Sequence, residues 1–236
     1  MTRRLPAATR EQLLAEIRED LAAYPRLHLF TDQELVQVRG TFPVRDVDGR
    51  ELDSFRVSIE LPPNYPEDLP VVREVGGRLD WKSDLHINPE NSEAPGTACV
   101  LIPDDRWQCF PIGSRFRVYL EGPLHNFFLA QHCVAKGEPW PFGQWDHGER
   151  GVYEYYRWLI PTESNEVVRR FLHLLAKLEL KAGYECPCGS GKKVKRCCQT
   201  KLAKLRAKIP HQVAAASIRR LSDSVSPYRK TRLQRR

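Results

Sequence analysis

The chain has 236 residues, of which 41% are hydrophobic and 28% charged, ordinary proportions for a globular protein. Its apolar runs fall well short of the ~20 residues that span a bilayer, and the N-terminal MTRRLPAATREQLL has no apolar stretch behind its basic residues. A membrane or secreted protein is therefore not expected, and a cytoplasmic one is. The net charge of +7 conceals a split: from Gly183 onward fifteen basic residues face two acidic ones, Glu185 and Asp223, whereas acidic residues prevail before it. The pattern is an acidic body with a basic tail.

In chain order, Thr9 followed by Gln12 reads as a capping box, and Leu13, Leu14, Ile17 and Leu21 recur at helical spacing, predicting a helix over 9–23. Val36, Val38, Phe42 and Val44 alternate with polar residues, a DVDG turn follows, and Phe55, Val57, Ile59 and Leu61 alternate in turn. This is an antiparallel hairpin with one wet face. PPNYPEDLP interrupts the pattern, and Val71, Val72 and Val75 suggest a third strand. The segment from Trp81 to Pro111, rich in Pro, Asn, Asp and Gly, reads as a long ordered loop with Cys99 in its middle; loops of that length are usually functional. Helical spacing returns over 116–129, after Gly151, and over 163–181. His125 and His132 read as one helix face, and the aromatics from Trp140 to Trp158 as core cover. The order of elements is α+β with segregated helices and strands.

Seven cysteines divide unevenly. Cys99, Cys109 and Cys133 are isolated, and the last two read as structural. Cys186, Cys188, Cys197 and Cys198 crowd into CPCGSGKKVKRCC, where Gly189 and Gly191 allow the reversal that closes four thiolates around one ion. Four protein ligands leave no open position, so the expected cofactor is structural Zn²⁺, with Lys192, Lys193, Lys195 and Arg196 offsetting the excess negative charge. This run resembles the SEC-C motif almost letter for letter.

Around Cys99, Tyr65-Pro66 with Pro70 precedes His86-Ile87-Asn88-Pro89, then Gly96, the cysteine, and Trp107 eight residues on. That order resembles the ubiquitin-conjugating enzyme (UBC) family over roughly residues 8–160, in the form of its divergent bacterial members. The tripeptide lies thirteen residues before the cysteine, a longer gap than in the eukaryotic enzymes.

The resemblance implies a UBC-like fold: N-terminal helix, antiparallel strand meander, catalytic-cysteine loop and C-terminal helices, plus a small zinc knuckle. The corresponding divisions are 1–160 for the conjugating domain, 161–182 for a connecting helix, 183–200 for the knuckle and 201–236 for a basic helical or disordered tail. Chelation is expected to unfold only the part beyond about residue 183.

It also implies a thioester on Cys99, since a thiolate is strongly nucleophilic and its thioester stays open to amines. Asn88, with Asn91 a rival, would stabilise the oxyanion. Asp104 and Asp105 would orient the incoming ammonium, and His86 would pin the loop rather than act as a base. The chain shows no nucleotide-binding glycine loop, so a separate activating enzyme is expected to supply the acyl group of a ubiquitin-like modifier. The resemblance further suggests an anti-phage operon of CBASS type, with a cyclic-nucleotide synthase as target. Two other readings remain open: a non-catalytic UBC-like adaptor, and a nucleic-acid- or ribosome-associated protein that works through its basic tail.

Overall fold

The computed structural model describes residues 7–32, 35–79, 85–88, 96–142, 145–146 and 148–223. The chain divides into two compact units, Met1–Gly143 and Gln144–Arg236. Asn91, Pro89 and the last thirteen residues lie outside the described parts.

In the first unit α1 (Ala7–Leu21) is followed by β1 (Leu27–Thr31), β2 (Val36–Arg45), β3 (Glu51–Leu61), β4 (Val71–Glu74), β5 (Ile87–Asn88) and β6 (Thr97–Ala98). All pairs are antiparallel, in the order β1-β2-β3-β4-β6-β5. The helix begins before the expected cap, so Thr9 lies within it and not at its N-cap.

The expected hairpin forms in the register Phe42↔Phe55 and Val38↔Ile59. These inward positions are buried together with Leu14, Ile17 and Leu21 of α1. After the short α2 (Arg106–Cys109), one helical run covers them: α3 (Phe116–Tyr119), a wide π turn over Leu120–Leu124, and α4 (His125–Ala135). Pro123 sits in that wide turn, which tolerates a residue without an N–H. Phe128 stacks 4.7 Å from Phe55 and lies tilted 5.7 Å from Phe42, closing the core.

Three features escaped the sequence pattern for local reasons. Strand β1 has its pairs in Leu27↔Gly40 to Thr31↔Val36, and Gly40 is required there because a Cβ would stand 2.0 Å from the Arg26 carbonyl oxygen. Pro43 inside β2 is tolerated because β1 has already ended beside it: the Thr41 N–H still reaches Arg26 at 2.9 Å, but position 43 faces no strand on that side. The long loop is interrupted by β5, β6 and α2, and β4 stops before Val75, which is exposed.

The second unit contains α5 (Gly148–Leu159), α6 (Asn165–Leu175), a 3₁₀ turn (Val194–Arg196), α7 (Gln199–Lys208) and α8 (His211–Asp223). Ser164 caps α6 by accepting from the Val167 amide at 3.3 Å. The helix ends short of the expected 181, leaving Leu178 exposed. Helix α5 packs with α6 and α8, burying Val152, Tyr155 and Tyr156. The sequence reading placed this helix with residues 1–160, whereas its partners belong to the second unit. The basic tail up to Asp223 likewise folds back: Lys201 donates to the Ile160 carbonyl at 2.7 Å, and Arg206 to those of Lys177 and Leu178, both at 2.7 Å. The arginine thus serves carbonyls just beyond the end of α6.

Candidate functional site

Two clusters of chemistry-bearing residues stand out, one in each unit. In the first, Cys99 follows directly on β6 and is half-buried. Its amide donates to the His86 carbonyl at 2.7 Å, continuing the pairs Ile87↔Ala98 and Asn88↔Thr97 by one step. His86 therefore lies opposite the cysteine, and the exposed Asn88 lies opposite the residue two before it.

Several contacts hold the short β5 ribbon in place. His86 takes a left-handed backbone with φ 54°, is buried, and packs its ring 4.5 Å from that of Trp140. The buried Gln131 of α4 donates to the Leu85 carbonyl at 2.6 Å. Gly96 completes the arrangement, because a Cβ there would stand 2.6 Å from the Asn88 carbonyl oxygen.

On the other side of the cysteine, Asp104 is buried and Asp105 occupies the N-cap of α2, where its carboxylate accepts from the Gln108 side chain. Arg106, also buried, donates from Nε to the Phe110 carbonyl at 3.1 Å and from its two terminal nitrogens to Glu67 and Pro66 at 2.6 and 3.0 Å. The segment after the cysteine is thereby tied to the cis Tyr65-Pro66 turn. Burial raises the Tyr119 phenol well above its ordinary pKa, and ionised Tyr65 and Cys99 would raise it further, which places this phenol beside the cysteine loop. Arg106 and Gln131 carried no sequence signal, because each acts across a long chain separation through backbone carbonyls, whereas Trp140, expected only as core cover, also offers its ring to His86.

Cys109 ends α2 on the surface, and Cys133 is half-buried on α4. His125 bonds the Arg45 backbone and His132 the Asp53 carboxylate at 2.9 Å, so both hold α4 to the sheet.

In the second unit the Sγ atoms of Cys186, Cys188, Cys197 and Cys198 all lie within 4.8 Å of one another and could hold a metal ion. Successive separations are 3.3, 3.5 and 3.8 Å. A tetrahedral shell with ~2.3 Å metal–sulfur bonds sets its sulfurs ~3.8 Å apart, so the donor set fits.

Local backbone chemistry builds the cluster. The Cys186 amide donates to Lys192 at 2.8 Å, Glu185 pairs with Lys193, and Gly189 and Gly191 take φ 81° and 69° in the reversal between them. Val194 is fully buried beneath, while Lys192, Lys193, Lys195 and Arg196 are exposed. Helix α7 starts immediately after Cys198, and a helix N-terminus favours thiolates. Hydrogen bonds from the Ser190 hydroxyl and the Cys186 thiol lower Cys188 to about 6, while burial raises Cys186 and Cys198.

Among the described residues, no helix is long and apolar enough to cross a membrane. No family model matches the chain, and no curated protein matches it. Among solved structures, the yeast vps23 UEV domain, crystallised with a vps27 PSDP peptide, is similar over 52% of this chain and 92% of that one, with 16% identity and a TM-score of 0.32. The architecture is thus described by its own sheet order and register: an α+β unit with a six-stranded antiparallel sheet, followed by a helical unit that carries a four-cysteine cluster.

Proposed function

We propose that the first unit is a UBC-like conjugating domain, in which Cys99 carries the C-terminal acyl group of a ubiquitin-like modifier and passes it to a target amine. The observation that carries this reading is the pairing of Cys99 with His86. It brings the His-Ile-Asn segment, thirteen residues away in sequence, directly against the cysteine.

In the proposed reaction the Cys99 thiolate attacks the thioester of a separate activating enzyme, and that enzyme's thiol leaves. A deprotonated amine then attacks the Cys99 thioester, forming an amide and releasing the Cys99 thiolate. Asn88, exposed on the neighbouring strand, is the proposed donor to the oxyanion. Asp105 is the proposed attractor of the incoming ammonium, and its position at the start of α2 fixes its backbone. His86, buried against Trp140, is assigned the support of the loop.

The four-cysteine cluster is proposed to hold structural Zn²⁺ and to present Lys192, Lys193, Lys195 and Arg196 to a partner. The proposed setting, bacterial anti-phage conjugation with a cyclic-nucleotide synthase as target, rests on the sequence resemblance.

The test incubates the full chain with ATP and the activating enzyme and modifier encoded beside it. A thiol-reducible adduct is expected with wild type and not with Cys99→Ala. Asn88→Ala is expected to charge normally but transfer ~10²–10³ more slowly. If wild type and Cys99→Ala behave alike, the conjugating reading fails, and a binding role for the same fold replaces it.

A further inference from the structure

The outward face of the sheet in the first unit carries a groove of about 500 Å³, lined by His28, Phe30, Arg39, Arg56, Ser58 and Val75 among others. The strand register explains its composition. Across β1, β2 and β3 a diagonal runs from Phe30 to Arg39 and then to Arg56, and Val75, just beyond the end of β4, stands directly opposite Arg56. The two ends are apolar and unusually exposed, Phe30 at 48% and Val75 at 41%. The two centres are cationic, and among the described residues neither Arg39 nor Arg56 forms an ion pair. The Arg39 guanidinium instead lies over the Phe30 ring, 5.5 Å from its centroid.

Beside this groove Gln37 is only 7% exposed although its register points it outward. Its amide nitrogen donates to Ser58 Oγ at 2.6 Å, and its Oε1 is buried with no partner.

We propose that this groove binds an extended acidic segment of a partner protein, with two carboxylates on Arg39 and Arg56 and apolar side chains on Phe30 and Val75. Alternate residues of an extended chain stand ~6.6 Å apart, and diagonal neighbours on a sheet face ~7–8 Å apart. One segment with the order apolar, acidic, acidic, apolar at alternate positions therefore follows the diagonal from Phe30 to Arg56, and its last side chain turns onto Val75 directly opposite Arg56. A polyanion such as a nucleic-acid strand suits it less, because acidic side chains outnumber basic ones over residues 1–143 and would repel it beyond the groove. The proposal is independent of any acyl group on Cys99.

The test titrates the ¹⁵N-labelled full chain with the heptapeptide Leu-Ser-Glu-Ser-Glu-Ser-Val and follows amide shifts. Shifts centred on Phe30, Arg39, Arg56 and Val75 are expected, with affinity about tenfold weaker in Arg39→Glu/Arg56→Glu, as for loss of two exposed charge pairs. The same loss is expected when both Glu of the peptide become Gln. Val75→Asp gives a second route should the double variant not keep its dispersed spectrum. The proposal is overturned if millimolar peptide shifts none of these amides, or if the variants bind like wild type. It is also overturned if a thymidine octanucleotide binds this face more tightly than the peptide.

Discussion

Replacing Arg106 by methionine keeps most of the aliphatic stem and removes the donors that join the two sides of the cysteine loop. Three charge-assisted bonds go with it: Phe110 at 3.1 Å, Glu67 at 2.6 Å and Pro66 at 3.0 Å. At ~1.5–3 kcal/mol for each bond to a charged group, the gross loss is ~4–9 kcal/mol. Part of this returns, because the variant no longer holds a cation that is 3% exposed away from water. A net destabilisation of about 2–4 kcal/mol is left. The assay is hydrogen exchange of the β2 and β3 amides, which open only with the whole first unit; at ~1.4 kcal/mol per decade, they should exchange roughly 30- to 1,000-fold faster. Alkylation of Cys99 should also quicken as its loop loosens. Lysine at 106 can aim one ammonium where the guanidinium spans three carbonyls, so Arg106→Lys should recover less than half of the loss. If Arg106→Met costs under about 1 kcal/mol, or lysine restores wild-type exchange, the clamp argument is wrong.

Chelating the metal-loaded protein should raise exchange in α6, α7 and α8 as well as in the knuckle, and leave β2 and β3 protected. The reason is that Lys201 and Arg206 anchor α7 to Ile160 and to the end of α6. Loss confined to 183–198, or spreading to the sheet, would contradict that packing. A third prediction concerns Asp53, whose carboxyl is held well below its ordinary 3.8, first by hydrogen bonds from Arg78 and then by that of His132, against the opposing effect of burial. A lowered folded pKa means that the contribution is complete above the ordinary value and lost as pH falls through it towards the folded one. Asp53→Asn should therefore cost about 1–2 kcal/mol at pH 7, and the gap to wild type should close below about pH 4. A gap that stays constant or widens in acid would refute the assignment.

The parts of the fold legible in sequence were those written in periodicity. Val36 to Leu61 alternate because one face is buried under Phe128, and the CPCGSGKKVKRCC spacing reports a cluster closed by neighbours in the chain. Strand β1 was not legible, because Leu27–Thr31 has only two inward residues and depends on Gly40 of the next strand. The placement of α5 was hidden for a related reason: its aromatics mark it as buried, but nothing in them says which unit buries them. The groove on the outer face was equally silent, since Phe30, Arg39 and Arg56 meet only through the register of three strands and Val75 only through its bond to Arg56 beyond the end of β4.

The separation between His86 and Cys99 shows the same principle at the site. Counted along the chain, Cys99 lies thirteen positions after His86, a gap that in sequence takes Asn88 away from the cysteine. Counted across the ribbon, His86 faces Cys99 and Asn88 faces Thr97. What permits this is Gly96, whose missing side chain lets the Asn88 carbonyl approach, together with Gln131 and Trp140, which hold the opposite strand from behind. The glycine before the cysteine and the distant asparagine are thus parts of one contact. Lengthening the loop between them need not disturb the cysteine's surroundings as long as both ends of the ribbon remain paired.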